Sequence, residues 1–189
     1  GTSSSNQEYG NRLDTVLVEI KEESKLSGLF TTNNLKAAPV QICSKNILSS
    51  NKNKKYLVIN AGNANAATGS KGLKDCEQIN SFLSKEFSSK KNNFLPFSTG
   101  VIGQLLPLEP FEKNTEKLVD SLSSSNMSDV SKGILTTDLV EKSCSISFDI
   151  NENSVTLTAV AKGSGMIRPD MATMLSFIVS DIGASKKEL

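Results

Sequence analysis

The sequence predicts a mixed α/β fold, with sheets covered by helices in one domain of 189 residues. Three observations lead there. Short runs that alternate apolar and polar residues, such as "DTVLVEI" and "SISFDI", read as half-buried strands. Other stretches repeat their apolar residues every three or four positions, as an amphipathic helix requires. The two patterns interleave without any internal repeat, which favours layers of both kinds over an all-helical bundle. A chain of this length buries roughly 70% of its unfolded surface, so a substantial core is expected.

The elements follow in order. Residues 14 to 20 form the first strand. "KAAPVQICSK" is expected to continue extended, with Pro39 marking a strand edge or entry. "KYLVIN", 55 to 60, is a short buried strand that runs into the small-residue loop "AGNANAATGSKG". Cys76, Ile79, Leu83 and Phe87 predict a helix from about Leu73 to Ser89. Phe111, Leu118, Val119 and Leu122 predict a second, ended by the serines at 123 to 125. A short helix is expected over 129 to 135, with Ser128 as its cap. "SISFDI" and "VTLTAV", joined by the turn-forming "NENS", make a hairpin over 145 to 160. "TMLSFIVSD" adds a last strand.

Composition narrows the function. Basic and acidic residues number 21 and 20, for a net charge of +1, which offers no electrostatic attraction to nucleic acid or to an anionic membrane. No apolar run approaches the ~20 residues of a membrane span, and the opening "GTSSSNQEYG" lacks the regions of a signal peptide. Cys43, Cys76 and Cys144 are expected as small buried thiols in a reducing compartment, the cytoplasm. There is no histidine, so Ser–His, Cys–His and His–metal chemistry are closed to this chain. Catalysis here needs lysine, a carboxylate or an α-amino group as its base.

Several segments carry candidate chemistry beside plainer explanations. "GNANA", 62 to 66, offers close backbone approach and amide groups, or simply a tight strand-to-helix connection. The Thr99–Gly100 pair of "FSTGVIG" can aim hydroxyl and amide donors into one space, as an oxyanion site requires, or form an ordinary turn. "LTTDL", 135 to 139, places two hydroxyls and a carboxylate where a helix end also needs satisfying. "AKGSGMIRPDMAT" spends Gly163, Gly165 and Pro169 just ahead of Thr173. A threonine so placed can attack its own preceding carbonyl. Hydrolysis of the resulting ester frees an N-terminal threonine whose α-amine serves as base.

Together these segments resemble the ornithine acetyltransferase (glutamate N-acetyltransferase) family of arginine biosynthesis. The matching strings are "GLFTTNNLKAAPV", "NAGNANAATG", "STGVIG", "ILTTD" and "AKGSGMIRPDMATMLSFIVSD", in the family's order across most of the chain. The resemblance implies a layered α-β-β-α sandwich and self-cleavage between Ala172 and Thr173. It implies that Thr173 accepts an acetyl group from N2-acetyl-L-ornithine and passes it to L-glutamate in a ping-pong cycle, with acetyl-CoA as an alternative donor. It assigns the oxyanion hole to Thr99 and Gly100, and substrate contacts to Lys162, Thr173 and one of the pair Thr136/Thr137.

Residues 1 to 172 are then the α-chain domain and 173 to 189 the start of a β chain, the two expected to assemble as an α2β2 heterotetramer. The chain by itself is expected to be inactive. Two alternatives stay open: a self-processing N-terminal-nucleophile amidohydrolase or aminopeptidase, and a fragment without activity. No metal or other cofactor is implied.

Overall fold

The computed structural model describes residues 2–3, 13–49, 53–124, 127–166 and 174–189. Two sheets organise it. The first has the order β1-β2-β3-β4, built from Thr2–Ser3, Leu13–Ile20, Lys55–Asn63 and Phe94–Val101. The second has the order β5-β6-β7, built from Lys142–Ile150, Asn153–Lys162 and Leu175–Ser180. Four α-helices accompany them: α1 Ala38–Asn46, α2 Gly69–Glu86, α3 Glu109–Asp120 and α4 Met127–Gly133.

Strand alternation divides the core into two layers. Leu17, Tyr56, Val58 and Phe94 face one way from the first sheet, onto Ile79 and Leu83 of α2 and Leu118 of α3. The rings of Tyr56 and Phe94 stack at 4.9 Å, a contact worth about 0.5–1.5 kcal/mol beyond its buried area. Val16 and Ile59 face the other way, onto Ile134 and Val160, with Phe97, Leu175 and Phe177 packed around them. Phe97 of the first sheet meets Phe177 of the second edge-on at 5.0 Å. The result is helix layer, sheet, sheet. On the far face of the second sheet Ile146, Phe148 and Ile178 are exposed, and no described helix covers them.

Within the first sheet, β2 and β3 run antiparallel while β3 and β4 run parallel, joined through α2. A parallel pair requires such a crossover, and it brings the carboxyl ends of β3 and β4 to the same edge. Ligands of open α/β sheets gather at such ends.

Four expectations need correction. "KAAPVQICSK" is helical, not extended: Pro39 sits in the first turn of α1, where a missing N–H costs nothing, and Ala38, Pro39, Cys43 and Asn46 are buried at helical spacing. Ser128 lies inside α4 rather than capping it. Thr99 and Gly100 close strand β4 instead of sitting in a loop. Cys144 is exposed on β5, whereas Cys43 and Cys76 are buried as expected. Burial pushes those two thiols up to about 12, with Cys76 adding to the shift of Cys43 and the carboxylates of Glu77 and Asp75 adding to that of Cys76, so they remain protonated packing residues. The other elements match within a few residues, although α2 starts at Gly69 rather than near Leu73. No helix among the described residues is long and apolar enough to cross a membrane.

Candidate active site

Three strand ends and one turn build the site. β3 and β4 pair Gly62 with Gly100 in register, both at positive φ (102° and 132°). A Cβ on Gly100 would lie 2.3 Å from the Gly62 carbonyl carbon, so the two backbones approach as only glycine allows. Thr99, one residue earlier, is 2% exposed. From the second sheet, β6 delivers Lys162 at its last position. The turn after α4 carries Thr136, Thr137 and Asp138.

Lys162 is the centre of the arrangement. It is 4% exposed, and its Nζ donates to Thr99 Oγ1 at 2.9 Å and to Thr136 Oγ1 at 2.8 Å. Asp138 Oδ2 lies 4.0 Å from the same ammonium. Burial holds Lys162 below the ordinary ammonium value; the Asp138 carboxylate works against that shift and Lys142 adds to it. Two threonines far apart in sequence are thereby tied to one cation. Thr137 turns elsewhere, its Oγ1 pairing with Ser164 Oγ at 3.0 Å.

Thr99, Gly100, Thr136, Thr137 and Lys162 all line a single cavity of about 800 Å³. Its opposite wall is apolar, with Leu105, Pro107 and Phe111. Ala172 and Thr173 lie outside the described residues. Their neighbour Met174 lies beside Gly163, its Cγ 3.3 Å from where a Cβ on that glycine would sit, and Leu175 pairs with Lys162 across the β6–β7 ladder. Met166, on the other side of the undescribed segment, lines the cavity.

The "GNANA" segment is mainly architectural. Asn65 is fully buried; it donates from Nδ2 to the Gly72 carbonyl at 3.0 Å and accepts from Thr68 Oγ1 at 2.7 Å. Asn63 donates to the carbonyls of Gln104 and Leu105, which fixes the loop after β4. The carboxylate of "LTTDL", read from the sequence as satisfying a helix end, is Asp138 beside Lys162, and the Gly62–Gly100 contact is not legible in either string alone. The glycine signal was visible in the two strings, but only pairing of the strands joins them.

Chemically, the constellation presents a buried cation whose donors point at two hydroxyls. A hydroxyl that accepts from an ammonium retains its own proton to donate, and the cation strengthens that donation. Such a group suits an oxygen that gains negative charge.

Residues 2–189 match the ArgJ family. The chain belongs to the ArgJ family. Among curated relatives, the arginine biosynthesis bifunctional protein ArgJ of Pseudomonas fluorescens (strain Pf0-1) is 38% identical over 189 residues, covering 100% of this chain and 46% of its own length. ArgJ 1 of Nostoc sp. is 40% identical over 172 residues, 91% of this chain and 41% of its own length. The chain thus spans about half the length of the ArgJ relatives it matches. Among solved structures, the ArgJ protein of Bacillus halodurans superposes with a TM-score of 0.73 at 29% identity, covering 92% of this chain and 89% of that one. The ornithine acetyltransferase of Mycobacterium tuberculosis, solved with ornithine, gives 0.73 at 25% identity and 85% coverage of each chain.

Proposed function

We propose that this chain is the first half of an acetyltransferase of arginine biosynthesis, moving an acetyl group from N2-acetyl-L-ornithine to L-glutamate. The observation that carries the proposal is Lys162 bridging Thr99 and Thr136 on the wall of the cavity, in a chain of the ArgJ family. The acetyl group passes through Thr173, freed by cleavage of the Ala172–Thr173 bond. The α-amine of that threonine removes the hydroxyl proton. Free α-amines have a pKa of about 7.7–8.0, so a useful fraction is neutral near pH 7.

As Thr173 attacks the acetyl carbonyl, the negative charge on its oxygen is met by the Thr99 hydroxyl and the Gly100 N–H. Lys162 supports that step by polarising the Thr99 hydroxyl, and with Thr136 it offers donors to the substrate. Between the two threonines of the pair, Thr136 is the one assigned to substrate because its hydroxyl shares the Lys162 ammonium, whereas Thr137 is engaged with Ser164. The C–N bond then breaks as the α-ammonium returns that proton to the departing amine, so that ornithine leaves and acetyl-Thr173 remains. Glutamate then attacks the ester, the oxyanion contacts act again, and Thr173 regains its proton as N-acetylglutamate leaves. Acetyl-CoA is the candidate second donor. The remaining half of the protein, a β chain in an α2β2 assembly, completes the substrate pocket, and the cytoplasm is the proposed location.

The test uses the full-length protein. Its mass should show a break between residues 172 and 173 without added protease, and incubation with N-acetylornithine alone should add one acetyl group to the peptide that begins at Thr173. Thr173→Ala should remain uncleaved and unacetylated. Steady-state lines at several glutamate concentrations should be parallel in double-reciprocal form. Converging lines with Thr173 unmodified would establish direct transfer and overturn the mechanism. Release of acetate without transfer to glutamate would instead mark an amidohydrolase.

A further inference from the structure

We infer that Asp138 is the positioning residue of this site, its buried carboxylate holding the Lys162 ammonium between Thr99 and Thr136 while pinning the first residue of the segment that leads to Thr173. The inference rests on the reading of Lys162 as the cation of the site. Asp138 Oδ1 accepts from the Gly163 backbone N–H at 2.8 Å and from Lys142 Nζ at 2.5 Å. Its side chain is fully buried, and Oδ2 makes no hydrogen bond among the described residues. A buried carboxylate oxygen is costly to leave in that condition, so its charge needs an opposite partner. The group facing Oδ2, at 4.0 Å, is Lys162 Nζ.

The two oxygens therefore act on consecutive residues. Oδ1 fixes Gly163, which stands at φ 154° directly after Lys162 and contacts Met174. Oδ2 opposes the loss of the neighbouring proton. Among the described residues, Asp138 favours the Lys162 cation and Lys142 disfavours it, and Asp14 is a further charged residue lining the cavity. Lys142 is itself held by Asp138, so the carboxylate also draws the like charge into a fixed position. Without it, a desolvated ammonium beside a second lysine would give up its proton and with it the donors to Thr99 and Thr136.

The experiment follows the Lys162 Cε resonance with pH in the full-length protein without substrate, in the unmutated form, Asp138→Asn and Asp138→Glu. Asparagine keeps the volume and an acceptor for Gly163 but removes the charge. The Asn variant should lose the Lys162 proton at lower pH than the unmutated protein, and the Glu variant should recover part of the difference. Acetyl transfer by the Asn variant should fall about 10–100-fold, as happens when a group that orients another functional side chain is removed. Its alkaline limb should move toward acid in step with Lys162.

Should Asp138→Asn fail to fold, the unmutated protein decides: the Lys162 resonance must respond as the Asp138 carboxyl takes up its proton at acid pH. A Lys162 titration that is unmoved in the Asn variant, or indifferent to Asp138 protonation, would make Asp138 purely structural and overturn the inference. These readings need no substrate. Absence of acetyl transfer would count against the proposed function and leave them to judge Asp138 separately.

Discussion

Replacing Gly100 by alanine should damage the protein far more than the same change at Gly62, though the two residues face each other. At Gly100 the added Cβ would sit 2.3 Å from Gly62 C, 2.6 Å from Gly62 O and 2.6 Å from Asn63 N. All three are backbone atoms of the parallel neighbour, so no side chain can swing aside. The strands must separate. Overpacking of this kind costs about 1–3 kcal/mol, and the φ of 132° adds roughly 1–3 kcal/mol of backbone strain for a non-glycine residue. Together they give about 2–6 kcal/mol.

At Gly62 a Cβ meets nothing within 4 Å among the described residues, which leaves the strain of φ 102°, about 1–3 kcal/mol. Denaturant unfolding of the full-length variants reads both numbers from midpoint shifts at unchanged slope. Thermal midpoints should fall by about 2–4 °C per kcal/mol for a domain of this size. Equal losses at the two positions would refute the steric argument, because they would leave only the shared backbone term. Parting β3 from β4 also moves Thr99 and the Gly100 amide, so Gly100→Ala should lose acetyl transfer in excess of its loss of folded protein.

Two further outcomes are expected. Thr99→Ala should lower kcat by roughly 10²–10³-fold with little change in KM, as for removal of an oxyanion donor, whereas Thr99→Ser retains most activity; an effect confined to KM would reassign Thr99 to ground-state binding. Asp138 should also leave an acid signature on stability. Burial raises its carboxyl, but the hydrogen bonds from Lys142 and Gly163 and the charges of Lys142 and Lys162 outweigh that and hold it below the ordinary carboxylate value. A folded-state value below the unfolded one means stability present above the unfolded value and lost as pH falls through the folded one. The stability gap between the unmutated protein and Asp138→Asn should thus be fully present near pH 5 to 6 and narrow progressively as pH falls below about 4. A gap that does not narrow at all as pH falls from about 5 toward 2 would show that the carboxylate charge contributes nothing.

What the sequence by itself determined was local. Alternation in "DTVLVEI" and the three-four spacing of Cys76, Ile79 and Leu83 specify β2 and α2 together with the face each buries. The alternation of "SISFDI" gives strand β5 but not the half-buried face expected of it, since all of its residues are exposed. The strings around Thr99, Thr136 and Lys162 marked candidate chemistry and the family. Around Pro39 local reading failed, since proline is equally at home entering a strand or opening a helix, and only packing of α1 along β4 chooses.

Tertiary structure alone decided the rest. Lys162 and Thr99 are 63 residues apart, and nothing in either segment says that the lysine donates to the threonine. Thr136 and Thr137 are identical as letters, and the fold separates them by turning one hydroxyl to Lys162 and the other to Ser164. Asp138, read locally, is a helix-end carboxylate. It becomes a partner of Lys162 because β6 of the second sheet and the turn after α4 close over the same edge of the first. Pairing across sheets depends on distances through space, which sequence separation does not record.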